Sequence, residues 1–112
     1  MARSLRIEIV FQQRAVAEIA EWVLLEPGLR DDRIRYAKLY LTDIKDELEE
    51  HDGLPTWVFP VRVDGLPMYD WHYSNDVWIR YSIRDRKQWF RRTRRIVTIW
   101  RFSSLPLVRR DS

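Results

Sequence analysis

The chain has 112 residues, 46% hydrophobic and 33% charged, with 20 Lys+Arg against 17 Asp+Glu for a formal charge of +3. One domain fills that length, and the apolar content excludes wholesale disorder. The absence of cysteine excludes a disulfide scaffold, a thiolate nucleophile and any cysteine-based zinc or iron–sulfur site.

Residues 4–11, SLRIEIVF, alternate, with Leu5, Ile7, Ile9 and Phe11 on one face, the period of a half-buried strand. Val16, Ile19, Ala20, Val23 and Leu24 then recur at helical spacing and predict an amphipathic helix over 13–25, ended by Pro27-Gly28. A second helix is predicted to begin near Asp31 or Asp32, acidic residues that suit an N-cap and the positive end of the helix dipole. Its stripe of Ile34, Ala37, Leu41, Ile44 and Leu48 runs out at Gly53 and Pro55, a glycine C-cap and a stop. The short connection makes the two helices an antiparallel hairpin.

After Pro55 the period returns to two. VFPVRV (58–63) and LPMYDWHY (66–73) flank Asp64-Gly65, a dipeptide suited to a type I′ turn because both positions need positive φ. Pro60 cannot donate to a ladder, which assigns its strand to a sheet edge or a bulge. Ser74-Asn75-Asp76 marks the next turn, VWIRYSI (77–83) the next strand, a basic loop follows, and RIVTIWRF (95–102) is the last strand. Pro106 and Arg109-Arg110 read as part of a frayed tail over 103–112. The expected fold class is α+β. Its architecture is a two-layer domain of strand, helix, helix and then three to four antiparallel strands, with a core over about residues 4–102.

The net charge conceals a division: residues 1–55 balance at −4 and residues 56–112 at +7. Seventeen of the basic residues are Arg, the side chain suited to bidentate phosphate contact and to stacking. The window RDRKQWFRRTRR (84–95) is the most basic, and Arg84, Arg86, Lys87, Arg91, Arg92, Arg94 and Arg95 would attract a polyanion by counterion release. Trp89 offers a face for a base, as does Phe90. The competing reading is a solvated hairpin loop, or arginines paired with the acidic helical half, within one chain or across a dimer. On the neighbouring strand Val77, Ile79, Tyr81 and Ile83 alternate with Trp78, Arg80 and Ser82, so one set meets the helices and the other faces away. On the last strand Arg101 falls with Val97 and Ile99, opposite Ile96, Thr98 and Trp100. An aromatic and arginine sheet face holds RNA in small α+β domains, and the same residue types also build protein interfaces.

His72 is a candidate general acid or base, while His51, beside Glu49-Glu50, suits a helix C-terminus. No His/Asp/Glu group shows convincing ligand spacing, so neither metal nor cofactor is expected, and Glu47, Glu49, Glu50 and Asp52 read as a solvated helix end. The apolar runs are short and MARSLRIEIV has no signal-peptide h-region, so no membrane contact and a cytoplasmic location are expected.

With its opening strand, helical hairpin and C-terminal antiparallel sheet, the chain resembles the RelE/ParE superfamily of bacterial toxin–antitoxin toxins. VWIRYSIRD (77–85) is similar to the family's aromatic-Arg-x-x-Tyr-x-x-Asp strand, and RIVTIWRF (95–102) to its last strand. The resemblance implies metal-independent cleavage of messenger RNA on the ribosome, or gyrase binding in other members, and neutralisation by an antitoxin protein. It assigns transition-state charge stabilisation to Arg80, Arg84 and Arg101, and proton transfer to His72 or Tyr81. Two positions depart from the family: Trp78 stands where an Arg is expected three places before Tyr81, and the tail SSLPLVRRDS has no His or Tyr. An RNA-binding or RNA-cleaving domain therefore stands beside a non-catalytic interaction module, self-associating or not, as the expectation.

Overall fold

A computed structural model describes residues 5–24, 30–74, 77–87 and 93–103. In chain order these form β1 (Leu5–Phe11), α1 (Gln13–Leu24), α2 (Arg30–Glu50), β2 (Val58–Val63), β3 (Leu66–Ser74), β4 (Val77–Lys87) and β5 (Thr93–Ser103). The fold is α+β, with two helices against a five-stranded sheet of order β1-β5-β4-β3-β2. Four strands follow the helices, the upper end of the expected number. β2, β3, β4 and β5 pair antiparallel, whereas β1 pairs parallel with β5, Ile7 opposite Arg95 and Ile9 opposite Val97. Such a parallel pair needs a long crossover, and the two helices supply part of it.

One sheet face meets the helices. Ala15 of α1 and Ile44 and Leu48 of α2 pack with Trp71, Val77, Ile79, Tyr81, Val97, Ile99 and Phe102 in a single buried cluster. The alternation read from 77–83 thus points Val77, Ile79 and Tyr81 inward. β2 lies at an edge, as Pro60 requires, with Pro60 opposite Tyr69. Asp64 and Gly65 have φ of 51° and 79°, the two positive values of the tight turn that joins β2 to β3.

The sequence reading needs correcting at three places. The described residues of the basic segment are strand rather than loop, since β4 continues through Lys87 and β5 already begins at Thr93. α2 starts at Arg30, so Asp31 and Asp32 fall within its first turn. Strict alternation also fails on β5. Arg80 pairs with Arg101 but Tyr81 pairs with Ile99, so a bulge at Trp100 brings Phe102 rather than Arg101 into the core. The Pro27-Gly28 connection, the Asn75-Asp76 turn and the tail from 104 lie outside the described residues.

The end of α2 locks onto the sheet. Asp52, at φ 54°, is the left-handed cap residue, and the Gly53 N–H donates to the Leu48 carbonyl at 2.7 Å. Gly53 is itself at φ 89°, buried, and its carbonyl accepts the Tyr81 hydroxyl at 2.6 Å. A Cβ there would stand 3.2 Å from Ile83 Cδ1. Gly53→Ala is expected to cost about 1–3 kcal/mol, through the disfavoured φ and the close approach. A urea midpoint that falls with an unchanged slope is the expected result.

Candidate nucleic-acid interface

The sheet face away from the helices carries the residues of interest. Two cross-strand pairs of β3 and β4 define it, Asp70 opposite Arg80 and His72 opposite Trp78. Arg80 donates from Nε to Asp70 Oδ1 at 2.7 Å and from Nη2 to Oδ2 at 2.9 Å. Both side chains are buried, 6% and 4% exposed, and the bond is a two-pronged fork. Next along the ladder, His72 and Trp78 stack with ring centroids 4.3 Å apart and planes 2° from parallel. Phe59 of β2, opposite Asp70, brings a third ring to 6.4 Å from Trp78. His72 and Trp78 are half-buried and Phe59 is exposed, so the cluster offers aromatic surface to solvent.

Further along β4, Ser82, Arg84 and Arg86 continue the same face by alternation. Ser82 accepts the Trp100 indole N–H at 2.8 Å, which fixes that ring on this side. Arg84 and Arg86 are exposed, and neither has a hydrogen-bond or ion-pair partner among the described residues. Trp78 and Arg84 are six residues apart on one strand, a track of roughly 20 Å.

The other expected site residues are placed differently. Tyr81 lies on the helix side, fully buried, its phenol pushed well above the usual tyrosine range by burial and by the neighbouring Tyr69. It and Arg80 therefore share no surface. Arg101 is clamped by Glu18 of α1, with Nε 2.9 and 3.0 Å from the two carboxylate oxygens and Nη2 at 2.9 Å. The same carboxylate accepts the Phe102 N–H at 3.1 Å, beyond the end of the β1 ladder. Arg94 pairs with Glu8 of β1. Arg95 forks onto Asp85 at 2.7 and 2.8 Å and donates to the Asp52 carbonyl at 2.6 Å. Lys87 ends β4 with its side chain outside the description, and Trp89, Arg91 and Arg92 fall outside the described residues. Of the five residues expected to carry catalysis, the described structure thus brings His72 and Arg84 to the solvent side of one face. It holds Arg80, Arg101 and Tyr81 in internal bonds.

Sequence reasoning missed Asp70 and Glu18 as partners and Phe59 as a stacking ring. Asp70 sits in the same alternating set as His72, but only the register across 74–77 aligns it with Arg80. At the exposed end of α2, read from the sequence as a solvated helix end without ligand spacing, the possible ligand atoms of Glu47, Glu50 and His51 nonetheless lie within 4.8 Å of one another. Comparison with protein-family models, with curated proteins and with solved structures gave no match to this chain. No helix among the described residues is long and apolar enough to cross a membrane.

Two outcomes follow from these pairs. Asp70→Ala strands a buried guanidinium and is expected to cost about 3–5 kcal/mol, whereas Asp70→Leu with Arg80→Met recovers most of that loss in denaturant titrations. The Arg95 hydrogen bond holds the Asp85 carboxyl below its ordinary value of 3.8, against a smaller opposing effect of burial. A depressed acid stabilises the fold above its unfolded value and loses that contribution as pH falls through the folded one. The stability gap between wild type and Asp85→Asn is therefore expected at neutral pH and to close as the pH drops below 3.8.

Proposed function

We propose that this chain is a single-stranded RNA-binding domain of RelE/ParE-like build that grips RNA with the helix-free face of its sheet. Bases stack on the Trp78–His72–Phe59 cluster, and the phosphates that follow meet Arg84 and Arg86. The observation that carries this reading is that Trp78, the centre of a solvent-facing aromatic stack, shares β4 and one sheet face with two arginines that have no partner among the described residues. Most of the other described arginines of the basic half are already committed to carboxylates.

The reading is one of binding rather than cleavage. A phosphate could reach Arg80 only by displacing Asp70 from a buried fork, and Tyr81 is on the wrong side of the sheet to move a proton here. One face of the His72 ring is engaged by Trp78. In this proposal the domain meets RNA in the cytoplasm, and an antitoxin-like partner would act by covering the same face.

Filter binding of a single-stranded RNA across salt tests it. Wild-type affinity is expected to fall steeply between about 50 and 200 mM salt. Arg84→Ala with Arg86→Ala should lower the log–log slope by about 1.4, and Trp78→Ala should weaken binding by about 1–3 kcal/mol at every salt concentration. The RNA should be recovered uncut. Affinity indifferent to salt, or both variants binding as wild type does, would sink the proposal.

A further inference from the structure

A second site adjoins the RNA face at His72, where the end of α2 meets the first turn of the sheet half. A cavity of about 240 Å³ opens there, its lining including Asp43 and Glu47 of α2, Trp57, and Trp71, His72 and Tyr73 of β3. Its volume is below the ~300–1,000 Å³ of drug-sized sites and suits one side chain or a small organic ion. The walls combine two chemistries. Asp43 and Glu47, one helical turn apart, supply carboxylates, and Trp57, Trp71 and Tyr73 supply rings.

Trp57 is held in an unusual way. Its φ is 64°, a left-handed conformation that a bulky side chain rarely adopts. Its carbonyl accepts the His72 N–H at 3.0 Å, which ties that strained backbone to β3. Yet the side chain is 70% exposed, so burial of the indole does not offset the strain. An exposed indole at the rim of a carboxylate-bearing cavity is the arrangement that attracts a cation through ring face and charge together.

The two carboxylates keep acceptor capacity toward the cavity. The Tyr73 hydroxyl donates to Asp43 Oδ2, and a carboxylate retains further acceptor sites after one such bond. Glu47 Oε2 lies 3.6 Å from His51 Nε2, and Glu47 is half-buried. A bare metal ion would make no use of the aromatic walls, whereas a guanidinium or alkylammonium group matches both kinds of wall.

We propose that this cavity is a receptor for an organic cation, held between the Asp43 and Glu47 carboxylates and the Trp57 indole. The cation is either a free small ion or the side chain of an Arg or Lys on a protein. The site borders the RNA face through His72 but uses neither Trp78 nor Arg84, so Arg84→Ala with Arg86→Ala, which weakens RNA binding, leaves cation binding unchanged.

The test is a ¹H–¹⁵N titration of the whole chain, following the Trp57 indole resonance. Methylguanidinium and butylammonium are the free-ion probes, a blocked Gly-Arg-Gly peptide is the side-chain probe, and methylurea is the neutral control. A saturable shift of the Trp57 resonance with the cations and none with methylurea is expected. Tighter binding of the peptide than of methylguanidinium assigns the site to a protein side chain, and the reverse order to a free ion. Asp43→Asn with Glu47→Gln should weaken binding about tenfold. Trp57→Gly should abolish the affinity gain while keeping the fold, because glycine accepts the positive φ without strain. Its binding is read from the Tyr73 and Ser74 backbone amides. No saturable shift, an equal shift with methylurea, or undiminished binding in the carboxamide variant would overturn the assignment.

Discussion

The Asp70–Arg80 fork is the constraint on which the arrangement of the sheet turns. Burying two opposite charges costs several kcal/mol of desolvation each, and only good geometry with both prongs made offsets that cost. A slip of β3 against β4 by one residue would leave both charges buried on opposite faces, so the pair holds the register. Everything else on that face follows from this register. His72 comes to lie over Trp78, Phe59 reaches the same stack from β2, and Tyr81, one residue on from Arg80, is sent to the helix side to meet Gly53.

The same logic explains the charge division between the halves. Glu8 takes Arg94, Glu18 takes Arg101, and the backbone of Asp52 joins Asp85 in holding Arg95. Acidic residues of the first half thus serve as internal counter-charges for arginines of the second. The hydrogen bonds to Glu18 and Asp85 keep Arg101 and Arg95 more firmly charged than usual. These ties join β1, α1 and the α2 cap to β5, elements far apart in sequence. Arginine abundance alone is therefore a poor guide to a nucleic-acid surface. What counts is which guanidinium groups the fold leaves uncommitted, and among the described residues Arg84 and Arg86 on β4 meet that condition.

Much of the architecture was legible because local chemistry and tertiary demand agreed. The alternation at 77–83, the Asp64-Gly65 turn, Pro60 at an edge and the Ile44 and Leu48 stripe all follow from residue-by-residue rules, and each holds in the structure. The parallel pairing of β1 with β5 was not legible, because no local pattern tells which distant strand completes a sheet. Nor was the bulge at Trp100, which overrides alternation so that Phe102 can fill the core. The site was harder still. His72, Trp78 and Arg84 could be picked out by residue type, but Asp70 and Glu18 look like ordinary acids until the register places an arginine opposite them. Partners decide which arginine is a tool and which is a strut, and partners are a property of the fold.

The most direct measurement of the central claim is a tryptophan-resolved titration with single-stranded RNA. RNA held on the helix-free face should shift the indole resonance of Trp78 first, with Trp100 beside Ser82 following. Trp71, 3% exposed on the helix side, should stay still. An unmoved Trp78 resonance at saturating RNA, or shifts confined to Trp22 and Trp71, would contradict the assignment of this face.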